Sequence, residues 1–324
     1  MKFRARTAWA FTATTAVFIG LGYADQAQAQ VKLEYRFPEG RALKYKATVK
    51  TKQTLTIQGM EVETSSEQAS VTRQTTGKKR DDSNIPVEEK IESVRIELSL
   101  PGGINLTIES NEPDAKIDNP QLAFLGEAIK ANSGAAYTVV LDGQNKVKAV
   151  EGTEKILEKA EKLSEQARNL ITAQMKTEKL KRRFEQEHGN LPEVLARPGD
   201  TWERNEVIDI SGGQILAFKK KFEYAGTEAL NNKTLDKIKT TVTGVEIKSE
   251  GDGDAPFKLL KSELKVLESD GTVLFDREGG HVVSQKSKLH VKGDKVTYSF
   301  NGNELPGAIE FSMDVDNELQ PSAK

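Results

Sequence analysis

The chain has 324 residues, with 47 Lys and Arg against 49 Asp and Glu and a net charge of −2. So even a balance excludes the basic footprint of a nucleic-acid partner and offers no general attraction to an anionic membrane. With no Cys and only three His, thiol nucleophiles, thiolate metal sites and iron–sulfur ligation drop out, and few catalytic classes remain.

The N-terminus reads as an export signal. Lys2, Arg4 and Arg6 precede an apolar stretch from about Thr7 to Ala24, and Ala27 and Ala29 supply small residues at the −3 and −1 positions of a cut after Ala29. The expectation is a signal peptide over 1–29 and a periplasmic or secreted protein. The alternative is an inner-membrane anchor formed by the uncleaved segment. No Cys follows the stretch to take a lipid, and no other stretch approaches the ~20 apolar residues of a spanning helix, so no transmembrane segment is expected after cleavage. About 295 residues would remain, enough for one large domain or two modest ones.

From Val31 to Glu109 the pattern is mostly period two. Runs rich in Val, Ile, Thr and Tyr at 32–37, 43–57, 62–76, 89–100 and 104–109 predict antiparallel strands, with turns at Gly59 and at Pro101-Gly102-Gly103. Apolar residues alternate with Lys, Glu, Gln and Thr, which predicts one wet and one dry face. Near Asn119 the period changes. Asp118 or Asn119 can cap a short helix that starts at Pro120 and ends before Gly134. A hairpin follows, 136–141 and 146–150, joined through Asp142-Gly143-Gln144-Asn145.

The strongest helical stripe runs from Thr153 to Glu187 through Ile156, Ala160, Leu163, Ala167, Leu170 and Gln174. A straight helix of that length would span about 50 Å, so a break is expected near Thr177. Packing on the sheet is favoured over a coiled-coil seam, because fewer than four clean heptads are present. Lys179, Lys181, Arg182 and Arg183 read as cations of the last helical turns, which complement the helix dipole before Gly189 terminates the helix.

Strands resume after the Pro198-Gly199 turn, at 202–210, 215–224, 234–247, 259–268, 271–275, 281–291 and 295–300, with turns at Asn231-Asn232, Ser269-Asp270-Gly271 and Gly293-Asp294. A mobile Gly/Asp-rich loop is expected at 249–256 and a last strand at 308–315. The order implies a β-rich half over 30–150 with a short helix near 120–131, a helical segment over 151–190, and a second β-rich half over 191–320 in one continuous domain with the first, either as two sheets flanking the helical middle or as one large curled sheet closed over it. The fold class is α+β: a predominantly antiparallel sheet, curled or half-barrel-like, packed against the central helices.

Nothing in this chain spells out chemistry. His188, His281 and His290 have no metal-ligand spacing, and no nucleophile elbow, phosphate loop or dinucleotide fingerprint occurs. Asp252 and Asp254, and likewise Asp314, Asp316 and Glu318, have the alternate spacing of a calcium loop without its Gly and bidentate Glu, so each reads as a solvated turn. Asn105-Leu106-Thr107 and Asn232-Lys233-Thr234 fit the glycosylation triplet, which means little behind a bacterial-looking leader. No catalytic, cofactor-binding or metal-binding residue is singled out, and the ligand-binding residues are not named by the sequence.

Leu33 to Tyr45, with its Tyr-x-Phe-x-x-Gly and Leu-x-Tyr pattern, resembles the opening strands of a family of exported planctomycete-type bacterial proteins known only as a domain of unknown function. Pro198-Gly199-Asp200-Thr201-Trp202, Tyr224 to Glu228 and Gly271 to Gly280 resemble its later turn and strand signatures. The resemblance implies an address and an architecture but no activity. The leading expectation is a noncatalytic exported binding protein whose sheet concavity takes a small apolar or lipid ligand. A structural component of the cell envelope that binds another protein comes second, and a carboxylate-dependent hydrolase third.

Overall fold

The computed structural model describes residues 30–112, 117, 119–211, 214–249, 257–300 and 303–321. The expected leader, the candidate cap Asp118 and the Asp252/Asp254 cluster lie outside the described residues. In chain order the strands are β1 (Ala42–Ile57), β2 (Met60–Thr76), β3 (Ile85–Leu100), β4 (Ile104–Glu109), β5 (Ala136–Leu141), β6 (Val147–Glu151), β7 (Thr201–Ser211), β8 (Gln214–Leu230), β9 (Lys233–Ser249), β10 (Phe257–Ser262), β11 (Lys265–Asp276), β12 (His281–Phe300) and β13 (Asn303–Leu319). The helices are α1 (Ala123–Asn132), α2 (Glu154–Ala160), α3 (Glu165–Gln174) and α4 (Thr177–Glu187). None of them is long and apolar enough to cross a membrane.

All thirteen strands join one open, curled antiparallel sheet in the order β6-β5-β3-β2-β1-β13-β12-β11-β9-β8-β7. β4 pairs with the far half of β3 and β10 with the far half of β12. The two β-rich halves are therefore parts of one sheet, joined where β1 lies against β13 from Tyr45↔Leu319 to Ile57↔Gly307. The period-two pattern sets the faces. Lys46, Lys50 and Lys52 stand outside with Glu318 and Asp314, while Tyr45, Val49 and Leu55 stand inside with Phe311 and Met313. Two hairpins close on residues with positive φ, Gln58-Gly59 at 51° and 82° and Asn231-Asn232 at 50° and 62°. These are the values a two-residue turn needs to match the strand twist.

Four expectations are corrected. Residues 32–37 are extended but form no strand: Val31 makes one isolated bridge to Ala196, and the Arg36 N–H donates to the Gly280 carbonyl. Their alternation has a different cause, a strap that crosses the concave face with Leu33, Tyr35 and Phe37 turned inward. The helical stripe breaks at 161–164 as well as near 177. There the Ser164 hydroxyl caps α3 by accepting from the Ala167 N–H, offering the backbone an alternative to continuing the helix. The expected turn at 269–271 lies inside β11, where Gly271 lets Thr240 and Ser287 on the flanking strands close over it. The expected turn at 293–294 is a bulge inside β12.

One core cluster lies between the β3–β5–β6 end of the sheet and the helices, with Val87, Val139 and Leu141 against Ile156, Ile171, Leu180 and Phe184. A second sets Phe222, Ile238 and Phe275 against Leu33, Leu191 and Ala196 from the strap and the 190–197 loop. Burying each such side chain stabilises the fold by about 1.5–3 kcal/mol. Tyr35 touches both clusters and ties the ends of the curl together. Farther along the strands the inner face carries Leu289, Val291, Phe311 and Met313, while the helices pack on β4, β6 and one another.

Candidate functional site

Helix α4 spans the gap between the two free edges of the sheet. Leu180 and Phe184 anchor it in the first core cluster, and it packs on edge strand β6. On its other side Gln186 acts as a substitute strand for edge β7. The Gln186 Oε1 accepts from the Val207 N–H at 2.7 Å, and its Nε2 donates to the Val207 carbonyl at 3.1 Å. Lys179 and Arg182 both reach Asp209, at 3.3 and 3.2 Å. β7 is thereby covered where an edge strand would otherwise present open hydrogen-bonding groups.

The third side of α4 faces into the curl. Cross-strand register places Gln74, Glu89 and Tyr137 in one row on β2, β3 and β5. The Gln74 Nε2 donates to Glu89 Oε1 at 2.7 Å, and the Arg183 guanidinium donates to the Tyr137 hydroxyl and lies over its ring. Arg183 and Glu187, one turn apart, approach to 3.8 Å. Next to them His188 stacks on Phe184 with centroids 4.0 Å apart and meets Tyr35 edge-on. The His188 Nδ1–H donates to the Phe184 carbonyl at 2.9 Å, which leaves Nε2 as an acceptor 3.5 Å from the Gln74 amide.

Enclosure sets the electrostatics. Burial, with the Glu187 charge adding to it, pushes the Glu89 carboxyl up to about 7. Burial also raises Glu187, against the pull of Arg183. His188 is pulled down to about 4 by burial and stays neutral. The hydroxyls of Tyr35, Tyr45 and Tyr137 are all raised by burial and remain protonated. Burial works against the Arg183 charge, but Tyr137, Glu187 and Glu89 more than offset it. Yet the Arg183 and Glu187 side chains keep 47% and 54% of their surface accessible. The buried Gln74, Glu89 and Tyr137 therefore stand next to two half-exposed charged side chains of α4. Farther along the inner face Thr51, Val49, Met313 and Phe311 lead to Leu289, which is packed with Leu216 and Phe218.

Arg183 is half-exposed and bonds inward to the Tyr137 hydroxyl, whereas Lys179 and Arg182 are ion-paired at the β7 edge. His281 sits beside Asp276 at the start of β12, lowered by burial, and His290 pairs with Glu310 at 2.8 Å on the outer face. Asp314, Asp316 and Glu318 belong to a ladder of alternating charge across β1, β13, β12 and β11, in which Lys286 holds Asp316 and Glu318 at 3.2 and 3.0 Å. That ladder lines a shallow outer groove of about 390 Å³. Asn105 bonds Ser99 on the neighbouring strand, and Asn232 forms a hairpin turn. Among the described residues no group of three or more His, Asp or Glu is placed to hold a metal ion. Glu89, Glu187 and Tyr137 were not singled out from the sequence. One signal was there for Glu89: it occupies the inward parity between Val87 and Ile91, where a carboxylate is out of place.

Residues 82–280 match the model of a family of unknown function, DUF6263. No curated protein matches the sequence. Among solved structures, one of the lipid–protein interactions in lipovitellin is 10% identical with a TM-score of 0.43, over 89% of this chain and 26% of that one, so the chain spans about a quarter of lipovitellin. An outer membrane channel from Pseudomonas putida F1 is 7% identical over 88% of this chain and 98% of its own, with a TM-score of 0.22. A DUF1329 family protein from Desulfovibrio piger is 6% identical over 87% of each chain, with a TM-score of 0.13. None of these likenesses is close enough to carry a functional argument.

Proposed function

We infer that this chain, which belongs to the DUF6263 family of unknown function, is an exported, noncatalytic binding protein that holds an amphipathic, mainly apolar ligand in the concavity of its sheet. The observation that carries the reading is the polar row of Gln74, Glu89 and Tyr137 on the concave face beside α4, where Arg183 and Glu187 keep about half of their side-chain surface. A polar head group fits among Arg183, Glu89, Gln74 and Tyr137. An acyl-like chain would lie along the partly buried Phe311 and Met313, beside the buried Leu289 and Val291. Pockets of this composition, apolar with a few convergent polar groups, are the usual form of small-molecule sites. The cationic start, apolar stretch and Ala-x-Ala of residues 1–29 support export to the periplasm or beyond.

The test is denaturing mass spectrometry of ligands extracted from the protein purified from an envelope fraction, joined to uptake of a fluorescent fatty acid. A co-purifying lipid, or saturable uptake that weakens in Arg183→Ala, is expected. An empty extract together with no uptake overturns the reading. One observation favours a second reading, hydrolysis by paired carboxylates: Glu89 and Glu187 share one enclosure and influence each other. Turnover of chromogenic glycosides or esters abolished by both Glu89→Gln and Glu187→Gln would establish that reading, and no turnover removes it.

A further inference from the structure

Because every pairing is antiparallel, the C-terminal ends of β1, β3, β7, β9 and β12 all lie at one end of the sheet. At the tips of three hairpins on that end stand Met60, Ile104 and Phe300, with Leu260 and Ile208 a few residues below the rim. These five are exposed, Met60 at 67% and Phe300 at 48%. The hairpin turns of the opposite end are polar, among them Lys78 to Asp82, Asp142 to Asn145 and Asn231-Asn232, and the exposed apolar residues there, Val194 and Leu195, stand on the 190–197 loop outside the sheet. The sheet is thus amphipathic along its strands. Scattered exposed apolar residues need no explanation, but their collection on one rim does.

We propose that this rim docks on a lipid bilayer by inserting its apolar hairpin tips into the interfacial layer. Three observations favour a lipid surface as the occupant. The tips stand on separate hairpins, interrupted by Glu61, Lys258 and Glu304, so they offer spaced points and not the continuous patch of roughly 800 Å² that a stable protein interface requires on each side. A soft interfacial layer admits such points one by one. Directly below the tips the inner face continues with Leu55, Ile57, Leu305 and Ile309, packed on Val296 and Tyr298, so apolar surface runs from rim to concavity. The charges between the tips include both signs, so the attraction comes from apolar insertion and not from anionic lipid. The choice of occupant rests on the reading of the concavity as a lipid site, because a rim continuous with that site is where an apolar ligand would cross from membrane to protein.

The test is flotation of the chain beginning at Gln30, which contains every described strand, helix and core cluster, with phosphatidylcholine vesicles. The protein is expected to float, and to go on floating when salt is raised tenfold. Met60→Asp with Phe300→Asp should cut partitioning at least about tenfold, given how binding scales with inserted apolar area. Val194→Asp, at an exposed apolar residue of the 190–197 loop, should leave it unchanged. Near-ultraviolet circular dichroism confirms folding, and Met60→Ser with Phe300→Ser, free of added charge, should give an intermediate loss. The proposal is overturned if the unmodified chain stays in solution, if salt abolishes flotation, or if the Val194 variant loses as much as the rim variant. Mass spectrometry of bound lipid on the same samples separates the two readings: flotation without bound lipid sustains the rim and removes the lipid site, and bound lipid without flotation does the reverse.

Discussion

Replacing Glu89 by Gln should stabilise the protein at alkaline pH and change little at acid pH. The Glu89 carboxyl titrates near 4.5 in the unfolded chain and is pushed up to about 7 in the fold. A raised acid favours the folded state below the unfolded value and loses that advantage as pH climbs through the folded one. At pH 8 the ionised carboxylate costs the fold about 3 kcal/mol, and at pH 5 about 1 kcal/mol or less. Gln removes the charge and keeps an oxygen for the Gln74 amide, which donates to Glu89 at 2.7 Å. With about 2–4 °C of Tm per kcal/mol for a chain of this class, Glu89→Gln should melt about 6–12 °C above the unmodified protein at pH 8 and within about 4 °C of it at pH 5. Thermal melts by circular dichroism at both pH values are the assay. An equal shift at both, or a destabilisation that grows with pH, would refute the reasoning by showing that Arg183 holds Glu89 ionised.

Three further outcomes follow from the same geometry. His188, lowered to about 4 from 6.5, should cost stability as pH falls from 6.5 towards 4, by up to about 3 kcal/mol, and His188→Phe should flatten that acid limb in urea titrations from pH 7 to 4. Gln186→Ala removes both bonds to Val207 and should cost about 1–2 kcal/mol, with hydrogen exchange at Val207 accelerated more than at β1. Gly280 sits at φ 65° with the Arg36 backbone nitrogen 2.7 Å from where a Cβ would stand, so Gly280→Ala should cost about 2 kcal/mol or more and make the 30–41 strap the first site of limited proteolysis.

Much of this architecture was legible because extended chains and helices write their periods into the sequence. The hairpins at Gln58-Gly59 and Asn231-Asn232, the wet and dry faces of β1 and the curled antiparallel class all follow from local rules. Local rules misled where a distant partner decided the outcome. Gly271 signals a turn, but it lies in mid-strand because Thr240 and Ser287 close over it. Residues 32–37 alternate like a strand, but no free edge receives them. Arg183 carries the same sequence signal as Lys179 and Lys181, and only the side of α4 on which it falls sends it inside to Tyr137.

The sequence by itself thus determined the class of the fold and, through its missing Cys and few His, the chemistries that drop out. Only the tertiary structure decided the site. Gln74, Glu89, Tyr137 and Arg183 come from β2, β3, β5 and α4, and they meet because the sheet curls until one helix bridges its edges. Periodicity reports what each segment turns inward. Which inward-turned groups come to share an enclosure depends on strand order and curvature, and no local pattern records those.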